Sequence, residues 1–225
     1  YRQSGYTFSL VDLPGTYSLN AHSPDEEIAH DVLMGWNEDT PRPSLIVAVV
    51  DASNLERNLF FVTQLTSLGI PVVVALNMMD ACRASGVEID VAKLEQRLGV
   101  PVVPTVGSRR EGTDELRSRL LQLLKEPCVP RSAIQLPDAV AREVDQLADK
   151  LRALDLASPE SSRGEALRAI CTERSFSHPR FAGAREPLKT VILRTRDNLA
   201  RAGLTWYAVE AEAGYRWIES VIAET

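Results

Sequence analysis

Three short apolar runs constrain this chain of 225 residues more than any other feature. Residues 45–50 (LIVAVV) and 70–76 (IPVVVAL) are continuous, and residues 100–104 (VPVVP) add a shorter run with prolines near its ends. Continuous runs of this length read as strands covered on both faces, as in parallel sheets flanked by helices. Proline is tolerated at strand ends. A fourth segment, residues 6–12 (YTFSLVD), alternates and is rich in strand formers.

Helical patterns lie between these runs. Ser23 stands at an N-cap position before Pro24, Asp25, Glu26 and Glu27, which put acid in a first helical turn. Ile28, Val32 and Leu33 form that helix's apolar side. Residues 59–68 form a second helix closed by Gly69, residues 90–98 a third closed by Gly99, and residues 113–125 a fourth. Strands alternating with helices predict βαβ units. Right-handed crossovers then place all strand C-termini on one rim, where ligands bind.

The pattern changes after Lys125. Pro127, Pro130 and Pro137 punctuate a linker, and no β-rich run follows. Val140, Val144, Leu147, Leu151 and Leu154 recur at helical spacing, and residues 166–172, 188–202 and 207–223 also read as helices. The expected division is an α/β domain over residues 1–127 and an all-helical domain over residues 128–225.

The totals exclude some classes. A net charge of -6 argues against a nucleic-acid partner. No apolar run is long enough to span a bilayer, and no signal peptide is visible. Cys82, Cys128 and Cys171 are odd in number and widely spaced, which fits a reducing compartment. His22, His30 and His178 do not join them at metal-ligand spacing.

Three polar motifs end three of the predicted strands. Asp12-Leu13-Pro14-Gly15 follows the first. A carboxylate there can hold Mg²⁺ through water, and Gly15 lets a backbone N–H approach a phosphate; the alternative is an ordinary Pro-Gly type II turn. Asn77-Met78-Met79-Asp80 follows the run at 70–76. An Asp carboxylate can accept both the ring N–H and the exocyclic amine of guanine, a pattern adenine lacks, while the Asn braces neighbouring loops. Val106, Gly107 and Ser108 follow Thr105 in a turn that offers backbone N–H groups to the base oxygen. Each motif alone is weak. D-x-x-G, N-x-x-D and a Gly-Ser turn in this order form the sequence that a GTPase requires.

These stretches resemble ferrous iron transport protein B, FeoB. The resemblance is carried by VDLPGTYSL at residues 11–19, VDASNLERNL at 50–59 and GIPVVVALNMMD at 69–80, and more thinly by GYRWI at 214–218. It implies a P-loop-NTPase-like (Ras-like), mostly parallel sheet lacking its first strand and P-loop, followed by a small helical domain of nucleotide-dissociation-inhibitor type. It implies GTP or GDP as ligand, with Asp12, Leu13, Pro14 and Gly15 as switch II, Asn77, Met78, Met79 and Asp80 as base readers, and Val106, Gly107 and Ser108 as the last base-contacting loop. In that loop the usual Ser-Ala pattern is replaced by Val-Gly. The partner it implies is a membrane channel for Fe²⁺ in the same parent chain, at the cytoplasmic face of the cell membrane. None of the 12 glycines precedes a lysine, so the motif G-x-x-x-x-G-K-[ST] is absent. Hydrolysis belongs to the intact parent, with Mg²⁺, and with K⁺ in many members. Thr16 stands where Ras-like proteins carry a water-orienting glutamine. Two other readings share parts of the pattern: a non-catalytic G-like interaction module and an Era-like GTPase. The acidic balance and the LPGTY and NLERN strings count against the latter.

Overall fold

The apolar runs form a three-stranded parallel sheet in the computed structural model, which describes residues 2–3, 6–20, 24–172 and 181–225. Its strands are β3 (Ile46–Asp51), β4 (Val72–Asn77) and β5 (Val102–Pro104), in that spatial order. The register sets Ile46 beside Val72, Asp51 beside Asn77 and Leu76 beside Pro104. The C-terminal ends of β3 and β4 are therefore level, and β5 ends one residue below the end of β4.

Two compact units divide the chain, residues 1–43 and residues 44–225. The first holds a short antiparallel ladder between β1 (Arg2–Gln3) and β2 (Tyr6–Thr7), and α1 (Pro24–Met34). The strand expected over residues 6–12 stops at Thr7. Alternation specifies a strand only where a partner completes the ladder and one face is buried. Residues 9–12 pair with no strand among the described residues, and Leu10 is 86% exposed. In α1, Val32 and Leu33 are buried as expected, with Ala29 and Met34, whereas Ile28 points outward at 49% exposure. Ser23, His22 and His178, named above, lie outside the described residues.

In the second unit β4 is the central strand, and its first five residues are all buried. β3 is an edge strand with alternating burial, not the doubly covered strand its composition predicts. Ile46, Ala48 and Val50 face the core. On the other face α5 (Thr113–Lys125) brings Leu116, Leu120 and Leu123 against Val47, Val73 and Val103. That cover does not extend to Val49, which is 66% exposed. The apolar face of α2 (Leu55–Leu65) packs on β3, and its far side packs on α9 (Val209–Ile222), which is why even Thr63 and Gln64 are buried. This helix starts four residues before the expected position and ends at Leu65, with Thr66 as its C-cap rather than Gly69. The helix α4 (Val91–Leu98) follows its sequence signals closely. Asp90 accepts the Lys93 N–H at its start, and left-handed Gly99 returns an N–H to the Glu95 carbonyl at its end.

Residues 127–137 carry neither helix nor strand. Beyond them lie α6 (Asp138–Ala153), α7 (Ser162–Cys171), α8 (Arg185–Arg201) and α9. The α6 stripe buries Val140, Val144, Leu147 and Leu151, while Leu154 falls just past the helix end and is exposed. Arg196 of α8 donates to the carbonyls of Ala169, Ile170 and Thr172, satisfying the C-terminus of α7, and stacks 4.1 Å over the Trp206 ring. Two glycines let helices approach the α2 region closely. A Cβ on Gly164 would come within 2.6 Å of the Ser67 carbonyl, and one on Gly214 within 2.9 Å of the Phe60 ring. The ring of Tyr215 stacks on Phe60 at 5.0 Å.

Candidate functional site

The chemistry gathers where β4 and β5 end. Asn77 is the last residue of β4, and its Oδ1 accepts the Gly107 N–H at 2.9 Å and the Thr105 hydroxyl at 3.3 Å. One side chain thereby fixes the loop after β5 to the end of β4. The backbone adds a long contact from the Met79 N–H to the Thr105 carbonyl, 3.5 Å. Met78 turns the chain with φ +62, a left-handed conformation that costs a side-chain-bearing residue roughly 1 kcal/mol. Immediately after it begins α3 (Met79–Ala84), a helix the sequence patterns did not announce, with Asp80 in its first turn. Met79 is buried and Cys82 is buried, so this short helix is anchored and holds Asp80 at the rim.

The loop after β5 is a 3-10 turn over Gly107–Arg109, closed by a bridge between Val106 and Glu111. Val106 is buried at 3% exposure and serves as the loop's apolar anchor, whereas Gly107 and Ser108 are exposed. Most amides of this loop are already used. Gly107 donates to Asn77, Arg109 and Glu111 to the Val106 carbonyl, and Arg110 to the Gly107 carbonyl. Among the described residues the Ser108 N–H has no protein acceptor. Gly112, at φ +77, ends the loop so close to β5 that an added Cβ would stand 2.0 Å from the Pro104 carbonyl oxygen. Arg109 reaches back across the rim, its Nη2 3.7 Å from Asp80 Oδ2 and its Nη1 3.9 Å from Glu111 Oε1.

Asp12, Leu13, Pro14 and Gly15 belong to the other compact unit and are described by themselves. They carry no regular secondary structure, and Asp12 lies five residues past the end of β2 instead of at a strand end. Asp12 and Gly15 are exposed, Leu13 and Pro14 half-buried. A Cβ on Gly15 would meet nothing within 4 Å, and its φ is not positive, so the backbone here is not the left-handed Gly of a type II turn. Just beyond, the Thr16 hydroxyl donates to the Ser18 carbonyl at 2.7 Å. Asp51 accepts from the N–H and hydroxyl of Ser53, which makes residues 51–54 a capped strand-to-helix connection. Among the described residues no three His, Cys, Asp or Glu side chains converge as metal ligands.

One asparagine thus holds the segment at residues 77–80 and the loop at 105–108 together at the parallel-sheet rim. The sequence model of the family described as ferrous iron transport protein B matches residues 1–120, more than half of the chain. The chain belongs to this family. The Porphyromonas gingivalis Fe(2+) transport protein A/Fe(2+) transporter FeoB fusion protein is 35% identical over 88% of this chain and 23% of its own length. The Salmonella typhimurium Fe(2+) transporter FeoB is 41% identical over 67% of this chain and 19% of its own. The chain thus spans about a fifth to a quarter of the curated relatives it matches. Among solved structures, a mutant NFeoB from S. thermophilus bound to GDP matches with a TM-score of 0.75 at 29% identity, covering 93% of this chain and 78% of that one. The cytosolic domain of the T. maritima FeoB iron transporter in its GMPPNP form matches with 0.76 at 25% identity, over 100% and 82%. These likenesses support the sheet and helical order expected of a FeoB cytosolic G domain. No helix among the described residues is long and apolar enough to cross a membrane.

Two features of the rim escaped the sequence reading. One is Arg109, for which the only signal is a basic residue directly after the Gly-Ser turn. The other is that the Gly107 amide is consumed by Asn77, leaving Ser108 as the available donor; nothing in the sequence distinguishes these two amides.

Proposed function

We propose that this chain is the guanine-nucleotide-binding, regulatory part of a ferrous iron transporter, with residues 1–127 as the G domain and residues 128–225 as its helical companion. The observation that carries this is the rim built by Asn77. Its two hydrogen bonds hold the loop that carries the free Ser108 N–H against the end of β4, beside the first turn of α3 that carries the Asp80 carboxylate. Asp80 accepts the N1 and N2 hydrogens of guanine, and the Ser108 N–H donates to the O6 carbonyl. Adenine offers the opposite pattern at both positions and leaves both protein groups unpaired. Met78 and Met79 form the turn that presents Asp80, and Val106 and Gly107 the turn that presents Ser108.

The donor set of these residues fits the base and not the phosphates, because no G-x-x-x-x-G-K-[ST] stands in this sequence. For Mg²⁺ the switch segment offers the single exposed carboxylate of Asp12, which suits a hydrated ion whose other ligands are phosphate oxygens and water. When bound, Mg²⁺ supplies charge neutralisation on the terminal phosphates. GTP hydrolysis, K⁺ dependence, the Fe²⁺ channel as partner and a position at the cytoplasmic face of the membrane belong to the parent protein in this proposal.

The test is titration of the ¹⁵N-labelled chain with GDP and with ADP. GDP is expected to shift the amides of Met79, Asp80 and Ser108 with affinity weaker than micromolar, and ADP to leave them unmoved. Equal responses to the two nucleotides would remove the base-reading assignment, and sub-micromolar GDP binding would remove the claim that phosphate contacts are missing.

A further inference from the structure

We propose that Arg109 is the internal competitor for the base-reading carboxylate, occupying Asp80 when no guanine is bound and transferring to Glu111 when guanine enters. The inference rests on the base-site reading given above. Among the described residues Arg109 is the charged group that faces Asp80. Its guanidinium stands between two carboxylates, with Nη2 3.7 Å from Asp80 and Nη1 3.9 Å from Glu111. A guanidinium presents five donors in a rigid fork, so it can serve both acceptors at once and keep one when the other is taken. Guanine needs both Asp80 oxygens, one for N1–H and one for the exocyclic amine. Base entry therefore has to end the Arg109–Asp80 contact.

The loop is built so that this exchange costs little. Gly107 is pinned to Asn77, and the Val106–Glu111 bridge holds the loop's base in place. Arg109 itself is 64% exposed at its side chain, against 33% for Asp80, so the guanidinium can move with no change of backbone. Glu111 is carried on the same bridged segment and remains within reach throughout. An exposed ion pair of this kind is worth up to about 1 kcal/mol, so removing it changes affinity by roughly two- to fivefold.

Guanosine, which carries no phosphate charge, is the probe, read by the slope of amide shifts at Asp80 and Ser108 in the ¹⁵N-labelled chain. Arg109→Gln is expected to tighten guanosine about two- to fivefold and to make its binding independent of ionic strength. In the unaltered chain guanosine binding is expected to strengthen as salt screens the Arg109–Asp80 pair. Arg109→Lys, which keeps the charge, is expected to stay close to the unaltered chain in affinity and salt response. Weaker guanosine binding in Arg109→Gln would make Arg109 a ligand and overturn the proposal, as would affinity and salt response unchanged from the parent. If guanosine moves neither amide in any of the three proteins, the base-site reading itself fails and the competitor role falls with it.

Discussion

Gly112 gives the most direct test of how the loop after β5 is held. Its φ of +77 places it in the left-handed region, and a Cβ there would stand 2.0 Å from the Pro104 carbonyl oxygen and 3.1 Å from Thr105 Cγ2. Real Cβ contacts do not fall below 3.0 Å, so Gly112→Ala must part the two segments by at least about 1 Å. The atom in the way is backbone at the end of β5. There Thr105 donates to the Leu76 carbonyl at 2.7 Å, so the strand cannot retreat without straining that bond. The left-handed backbone alone costs about 1–2 kcal/mol for alanine. Loosening the two Val106–Glu111 hydrogen bonds adds roughly 1 kcal/mol each. Together these give a loss of about 3–4 kcal/mol. Gly99→Ala is the control. Its φ is +67, yet its Cβ would meet nothing within 4 Å, so it carries only the conformational cost of about 1–2 kcal/mol. Urea unfolding followed by far-UV circular dichroism compares the two. If Gly112→Ala proves no more destabilising than Gly99→Ala, the close approach that fixes this loop is wrong.

Other consequences can be checked in the same way. Asn77→Ala strands the Gly107 N–H and the Thr105 hydroxyl and is expected to cost about 1–3 kcal/mol, whereas Asn77→Asp keeps an acceptor at the same place and should recover most of it in the same urea titration. Asp80→Asn replaces an acceptor by a donor amide; the chain should lose its response to guanosine and gain one to xanthosine, whose extra carbonyl accepts that amide, as read by amide shifts. Burial, and then the neighbouring Glu210, push the Cys171 thiol up to about 12 from 9.0. The unfolded chain therefore releases this proton first as pH rises, so the contribution is intact below about pH 9 and is lost between pH 9 and 12, roughly 1 kcal/mol by pH 10. Cys171→Ala should flatten that part of the stability-pH curve, and a curve that keeps its slope would refute the assignment. Gly214→Ala forces a methyl to within 2.9 Å of the Phe60 ring and should lower stability by about 1–3 kcal/mol in thermal unfolding, while Phe60→Leu in the same chain should restore part of it.

The sequence was most informative where local chemistry and tertiary packing agree. The run at 70–76 became β4, buried over its first five residues, and Asp90 and Gly99 bound α4 because both caps act within a few residues of themselves. It misled where a segment needs a distant partner. The alternation at residues 6–12 carries no information about whether a ladder exists, and the ladder ends at Thr7. The uniform run at 45–50 could not reveal that α5 covers Val47 but leaves Val49 exposed. Among the motifs, the place of Asn77 at the end of β4, with Asp80 just beyond it, was legible because a polar stretch directly follows an apolar run. The short α3 was not, since six residues are too few for a periodic signal, and neither was Arg109, whose meaning comes from facing Asp80 across a loop. Packing of the helices at 138–225 also depends on small residues, Gly164 and Gly214, whose value is visible only against Ser67 and Phe60.

The end of α9 is tied to the sheet more firmly than its position late in the chain would imply. The Thr225 carbonyl accepts from the Asp90 N–H at 2.8 Å, and Arg97 donates to Glu224 and to the Ser220 hydroxyl, each at 2.7 Å. Glu95, on the same helix as Arg97, accepts the Val102 N–H at the start of β5. A pull applied at Thr225 is therefore shared by several bonds loaded together, and passes through α4 into β5, which leads directly to Thr105 and the turn holding Ser108. The mechanical path from Thr225, three residues past α9, to the loop after β5 is one helix and one strand long.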